Sequence, residues 1–250
     1  MSSARRSSGS NRLETPCADE LHLWLCRRES AGTSSDFQRH VLSFYTDVPG
    51  QLIQLGRGEL GKPALLSPAL PLDFNLSDSG DFLVMAVSGG AAVGVDIELC
   101  EPGRDVLKLA RRFFSAAELA DLQGCQPTER SDRFYDYWTL KEASIKAAGG
   151  SLPGELEKTH FSLCYPVTLA GSSATGYIGA LAPLPSTDAW YGLLQVPPGY
   201  RIALCCHAPQ DFAAGLRLYE LPGSGEPVAL AVTLRAVSAF ADSTDGVVRP

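Results

Sequence analysis

"VGVDIEL", residues 93–99, is the stretch on which the rest of the chain turns. As a strand it puts Val93, Val95, Ile97 and Leu99 on one face and Gly94, Asp96 and Glu98 on the other. The aliphatic face asks for a core. The two acids leave the same side of the strand with Cβ atoms roughly 6–7 Å apart. That spacing suits two carboxylates holding one hard cation, because Mg²⁺ usually takes one or two protein carboxylates and completes its shell with water and phosphate oxygens. The same pair would also serve as the wet face of an edge strand, so the motif needs support from elsewhere.

Working outward, "FLVMAVS" (82–88) reads as a strand, and Gly89-Gly90 predicts a hairpin joining it to residues 92–99. Upstream come a strand, "LHLWLCR" (21–27), and a helix, "SSDFQRHVLSFY", with Phe37, Val41 and Leu42 on its apolar face. "QLIQLGRGELGKPAL" is strand-like at its start and broken at Gly61-Lys62-Pro63. Downstream, "DVLKLARRFFSAAELADL" is one helix or two. A long helix then opens at Pro127-Thr128-Glu129, with Thr128 as its expected N-cap, and stops at Gly149-Gly150. From 160 to 220 the pattern is β: "HFSLCYPVTL", "ATGYIGAL", "AWYGLLQV" and "YRIALCCHA". The expected fold class is α+β, with two sheet-containing lobes meeting near 90–94. The predicted division is a disordered leader (1–18), an N-terminal lobe (19–92), a C-terminal lobe with the metal site (93–220) and a C-terminal tail (221–250).

Composition narrows the function classes. The 250 residues carry 21 basic against 28 acidic side chains, a net charge of −7, which argues against binding nucleic acid or an anionic membrane surface. No apolar run is long enough to span a bilayer, and "MSSARRSSGSNR" lacks the apolar segment of a secretory signal. Seven cysteines without a C-x-x-C pair read as reduced core thiols of a cytoplasmic protein. None of the four histidines has a metal-like spacing to another, and His22 and His207 fall in strand-like runs as structural residues.

The helix "ERSDRFYDYWTLKEASIKAA" (129–148) supplies the support that the acid pair needs. Phe134, Tyr137, Trp138, Ile145 and Ala148 approximate an apolar stripe, and Tyr135, Thr139, Glu142 and Lys146 form a second one. Glu142 and Lys146 lie one turn apart. They are either a surface ion pair, or a third metal ligand or base beside a point charge for a phosphate oxygen. Lys62 in its Gly-Lys-Pro turn, and the polar turn "FNLSDSGD" (74–81), are both candidates for facing an anion. No Walker loop and no G-x-G-x-x-G is present.

Taken in order, "GKP", "FNLSDSG", "VGVDIEL", "RRFFSAAELADL", "FYDYWTLKEASIKAAGG" and "VPPGYRIALCC" resemble the 4′-phosphopantetheinyl transferases of the larger, single-chain, surfactin-synthetase type. The resemblance covers roughly residues 52–207, and the ordered pairing of D-x-E with W-x-x-K-E-x-x-x-K is its specific part. It implies two α/β lobes related by a pseudo-twofold axis, with coenzyme A in the cleft between them. It implies Mg²⁺ at Asp96, Glu98 and Glu142, with Lys146 and Lys62 near the donor's phosphates and Glu142 as candidate base. Ser77 and Asp78 match the loop that holds the nucleotide end. The implied reaction transfers phosphopantetheine from coenzyme A to a serine of an apo acyl or peptidyl carrier protein, releasing 3′,5′-ADP. The nucleophile then belongs to the partner, and a monomer suffices.

Two departures from the family's pattern weaken one end of this site. Asp78 stands where the family usually has a histidine near the donor's 3′-phosphate, and the Arg-rich segment before the Gly-Lys-Pro turn is short, leaving Arg39 and Arg57 as substitutes. They motivate an alternative reading: a catalytically weakened protein that binds coenzyme A or the carrier. For the carrier surface, Phe113 and Phe114 beside Lys108, Arg111 and Arg112 form a basic and apolar patch suited to an acidic partner.

Overall fold

The computed structural model describes residues 12–58, 61–150, 156, 159–164, 177–180, 189–194, 196–208, 210–223 and 225–238. The chain opens with β1 (Leu21–Arg27), α1 (Arg28–Ala31) and α2 (Ser34–Ser43). It continues through β2 (Gln54–Arg57), β3 (Pro63–Ser67), β4 (Asp73–Ser79), β5 (Phe82–Ser88) and β6 (Val93–Leu99). Three helices follow, α3 (Val106–Phe113), α4 (Ala116–Gly124) and α5 (Pro127–Ala147). The remaining strands are β7 (Phe161–Cys164), β8 (Tyr177–Ala180), β9 (Trp190–Leu194), β10 (Tyr200–Cys206), β11 (Leu216–Glu220), β12 (Val228–Leu230) and β13 (Leu234–Ser238).

Period-two alternation sorts these strands into two sheets that share a core. The first has the order β12-β11-β1-β5-β4, the second β6-β10-β9-β13-β8-β7, and β2 and β3 form a separate ribbon. Leu21, Leu23 and Leu25 of β1 and Val84 and Ala86 of β5 meet Val93, Val95 and Ile97 of β6 and Ile202 and Leu204 of β10 between the sheets. Trp24, Met85 and Val87 face the other way, onto Phe37, Val41 and Leu42 of α2. On the far side of the second sheet, Tyr191, Leu193, Ala203 and Cys205 pack against α3, α4 and α5. The architecture is therefore mixed α+β, with helices outside each of two packed sheets.

Several sequence expectations are corrected. β5 makes no hairpin with β6: its two edges are taken by β1 and β4, and the tight hairpin is β4–β5 through Gly80, which has φ +52°. Of residues 74–81, expected as a turn, 74–79 lie in the strand β4 and only Gly80 and Asp81 make the turn. β11 pairs in parallel with β1, so residues 216–220 join the first sheet. The expected tail adds β12 to the first sheet and β13 to the second. Within the expected leader, Leu13 is buried and its N–H donates to Phe44 O at 2.7 Å, while residues 1–11 lie outside the described residues.

Helix α5 is the element that carries the site. Gln126 is its N-cap and Pro127 its first residue, so Thr128 sits inside the helix instead of capping it. It ends as the double glycine predicts: Gly149 has φ +75°, its N–H donates to Lys146 O (3.1 Å), and Gly150 N–H donates to Ile145 O (2.9 Å). Lys141 and Glu118 are fully buried and paired at 3.0 Å, tying α5 to α4. Asp136 accepts from Arg201 of β10 and Arg235 of β13, tying α5 to the second sheet. Burial runs almost all round the helix; Trp138 and Ala148, placed on the apolar stripe, are half-buried and exposed. Among the described residues, no helix is long and apolar enough to cross a membrane.

Candidate active site

Two edge strands meet along a polar seam. β10 takes one edge of β6, leaving a row of N–H groups on the other that must find partners. Alternate side chains of β4 meet that need. Val93 N–H donates to Asp73 Oδ2 at 2.7 Å, Val95 N–H to Asn75 Oδ1 at 3.0 Å, and Leu99 N–H to Ser79 Oγ at 3.1 Å. The polar run that looked like a loop is thus a strand whose side chains replace a missing neighbour.

The acids of β6 face α5, and Gly94 sets how close the helix lies. A Cβ at Gly94 would stand 2.0 Å from Ala143 O and 2.5 Å from Ala147 N, so only glycine admits the helix backbone. This contact lays the 142–146 turn of α5 along the acid face of β6. Lys146 Nζ pairs with Asp96 Oδ1 at 2.6 Å and donates to Ser77 Oγ at 2.9 Å; Ser77 in turn donates to Asp96 Oδ1 at 2.8 Å. Ser79 donates to Glu98 Oε2 at 3.0 Å. Lys146 therefore bonds across the seam to Asp96, and the surface Glu142–Lys146 pair is not the arrangement found.

Asp96 and Glu142 are buried, and Glu98 is half-buried. Burial raises the Asp96 carboxyl above its ordinary value, against the pull of Lys146. Glu98 is raised by burial and by Asp96, with hydrogen bonds from Ser79 and Trp138 opposing. Glu142 is pushed up to about 7, first by burial, then by the charge of Asp96. Three carboxylates thus crowd one another, with Lys146 paired to Asp96 and the charge of Arg104 acting on Glu98. Asp96 Oδ2 is buried with no hydrogen-bond partner, an arrangement that a bound cation relieves. A set of hard carboxylate oxygens fits Mg²⁺. Among the described residues, no three His, Cys, Asp or Glu side chains are gathered tightly enough to be a ready metal cage. Such a cage is not what Mg²⁺ ordinarily uses, since substrate phosphates supply part of its shell.

The remaining predicted residues lie apart from this cluster. Lys62 is paired with Asp73 at the far end of the seam. Asp78 points away from Asp96 and is paired with Arg28, whose Nε also donates to Gly80 O at 3.0 Å. Arg39 donates to Ile53 O and Arg57 to Gly61 O. On α3, Lys108, Arg111 and Arg112 are exposed, and the Arg112 guanidinium lies 4.9 Å from the Phe113 ring. Phe114 is corrected: it is buried, stacked on Phe134 at 5.2 Å, and belongs to the core. Sequence reasoning missed Arg28, Asn75 and Ser79. The last two were legible only as polar residues at period two along a strand.

A family model described as the 4′-phosphopantetheinyl transferase superfamily matches residues 92–205, which include β6, α5 and most of β10. The chain is similar to a 4′-phosphopantetheinyl transferase of Bacillus subtilis, 34% identical over 167 residues, or 66% of this chain and 68% of that protein. It is 31% identical over 175 residues to the 4′-phosphopantetheinyl transferase Sfp of Bacillus subtilis strain 168, covering 70% and 71% of the two chains. Over 94 residues it is 43% identical to the 4′-phosphopantetheinyl transferase AcpT of Escherichia coli K12, or 38% of this chain and 48% of that protein.

Proposed function

Since this chain belongs to the 4′-phosphopantetheinyl transferase superfamily, we propose that it carries phosphopantetheine from coenzyme A to a serine hydroxyl of an apo acyl or peptidyl carrier protein. The enzyme class, a holo-[acyl-carrier-protein] synthase type of transferase, follows from the family; the donor, the acceptor and the residue roles are the proposal. The observation that supports it most is the buried meeting of Asp96, Glu142 and Lys146, with Glu98 beside them, across the β4–β6 seam.

In this reaction the serine oxygen forms a bond to phosphorus, and the bond from phosphorus to the adenosine 3′,5′-bisphosphate leaving group breaks. Positioning and charge neutralisation do most of the work in such a displacement. Asp96, Glu98 and Glu142 are the residues that would hold Mg²⁺, which when bound supplies charge neutralisation at the donor's pyrophosphate. Lys146, fixed by Asp96 and Ser77, presents an ammonium to the same phosphate oxygens. Glu142 is the proposed base for the serine proton, directly or through a water. Coenzyme A is proposed to lie along the β4–β6 seam where the two sheets meet, with Lys62 at one end and Ser77 and Asp78 toward the nucleotide.

The basic face of α3, with Lys108, Arg111, Arg112 and the half-buried Phe113, is the proposed carrier surface. Phe113 packs edge-on against Trp138 at 5.7 Å, and Trp138 reaches Glu98, so this surface is continuous with the acids. One chain carries every named group, and the proposed form is a cytoplasmic monomer. Release of adenosine 3′,5′-bisphosphate from coenzyme A tests the proposal. It should require an apo carrier and a divalent ion, and disappear in Glu142→Ala. Release without carrier, or unchanged in the variant, would refute it.

A further inference from the structure

We propose that Ser79 is a positioning residue that aims Glu98, a role resting on the reading of Glu98 as a ligand for a hard divalent cation. Leu99 N–H donates to Ser79 Oγ at 3.1 Å, so the hydroxyl oxygen is already accepting. Its own proton goes to Glu98 Oε2 at 3.0 Å. The serine is thereby fixed at its oxygen by the β6 backbone and spends its donor on the acid.

Two residues earlier the pattern repeats. Ser77 accepts from Lys146 Nζ at 2.9 Å and donates to Asp96 Oδ1 at 2.8 Å. Ser77 and Ser79 share a face of β4, and Asp96 and Glu98 share a face of β6. Each serine therefore addresses one acid, and the strand period matches the two pairs. Glu98 is the less buried of the two acids and lacks the ammonium that holds Asp96. Its side chain takes its direction from the hydrogen bond of Ser79. Groups that orient metal ligands in this way matter to affinity nearly as much as the ligands themselves.

The experiment compares the full chain with Ser79→Ala, Ser79→Thr and Ser79→Val, the last two being equal in shape and differing in the hydroxyl. Mn²⁺ is the probe, and its free concentration is read by electron paramagnetic resonance without donor or carrier. Melting curves and the Mg²⁺ dependence of transfer accompany it. Ser79→Ala and Ser79→Val should bind Mn²⁺ about tenfold more weakly, and Ser79→Thr should stay within about threefold of the parent. Should Ser79→Ala not fold, the Thr and Val pair carries the comparison, because both are good strand formers. The Ser79 role is overturned if the Val variant binds Mn²⁺ as the parent does, or if Thr is as weak as Val. A parent that binds no Mn²⁺ and transfers nothing overturns the functional reading as well, whereas a parent that does both while Val is unaffected overturns the Ser79 role alone.

Discussion

Gly94 of β6 and Ala143 of α5 are in backbone-to-backbone contact: a Cβ on the glycine would lie 2.0 Å from the alanine carbonyl oxygen. That one approach sets the height of α5 above β6, and with it the meeting of Lys146 with Asp96. Gly94→Ala should push the helix off the strand, cost about 3 kcal/mol of stability and remove most transfer activity. Denaturant titration together with a transfer assay would check this. A variant as stable and active as the parent would mean that the contact is not what sets the site.

Glu142 is predicted to act against stability. Its folded value of about 7 lies above its ordinary 4.5, so the folded chain holds this proton more tightly than the unfolded one. The stability linked to that proton is present below about pH 4.5 and lost as pH rises through 7. Glu142→Gln keeps the neutral form at every pH. With a chelator present, it should be more stable than the parent at pH 8, by on the order of 2 kcal/mol, and nearly equal at pH 4.5. It should also fail to transfer phosphopantetheine. Urea unfolding at the two pH values reads the difference.

Lys141 stands beside Glu142 in sequence yet serves the fold. It is fully buried, pairs with Glu118 at 3.0 Å, and donates to Leu156 O at 2.9 Å and to Thr159 O. Glu118 also accepts from Phe161 N–H at 2.9 Å. Lys141→Met leaves a buried carboxylate without its cation and should cost about 3–5 kcal/mol. Adding Glu118→Gln should restore part of that loss, and a double-mutant cycle measures the coupling.

Asp78 gives a prediction about the donor. Its carboxylate is matched by Arg28, so the nearest cation is already engaged. Coenzyme A should therefore be favoured over 3′-dephospho-coenzyme A by less than about tenfold in kcat/KM, the range of an exposed ion pair. Asp78→His should widen the preference. A strong preference in the parent would show that another cation meets the 3′-phosphate.

What the sequence made legible was local. The alternation of residues 93–99, the step of four between Glu142 and Lys146 and the glycine stop of α5 each rest on a period or a cap, and each was found where expected. What it hid was set by distant partners. Residues 73–79 carry Asp and Asn, residue types depleted in strands, together with serines, and become a strand because those side chains complete the edge of β6. Gly89-Gly90 has the stronger hairpin signal, yet the turn falls at Gly80 because β1 claims the other edge of β5. The parallel pairing of β11 with β1 joins the two ends of the chain, and no local pattern announces it. The Arg28–Asp78 pair spans fifty positions and was hidden in the same way.

The intact mass of an apo carrier protein, after incubation with the full chain, coenzyme A and Mg²⁺, tests the assigned chemistry most directly. The prediction is a gain of one phosphopantetheine group on the carrier serine, abolished by Asp96→Asn and by Glu142→Ala in variants that still fold. Carriers that bind the chain but keep their mass, or a full gain that survives both substitutions, would contradict it.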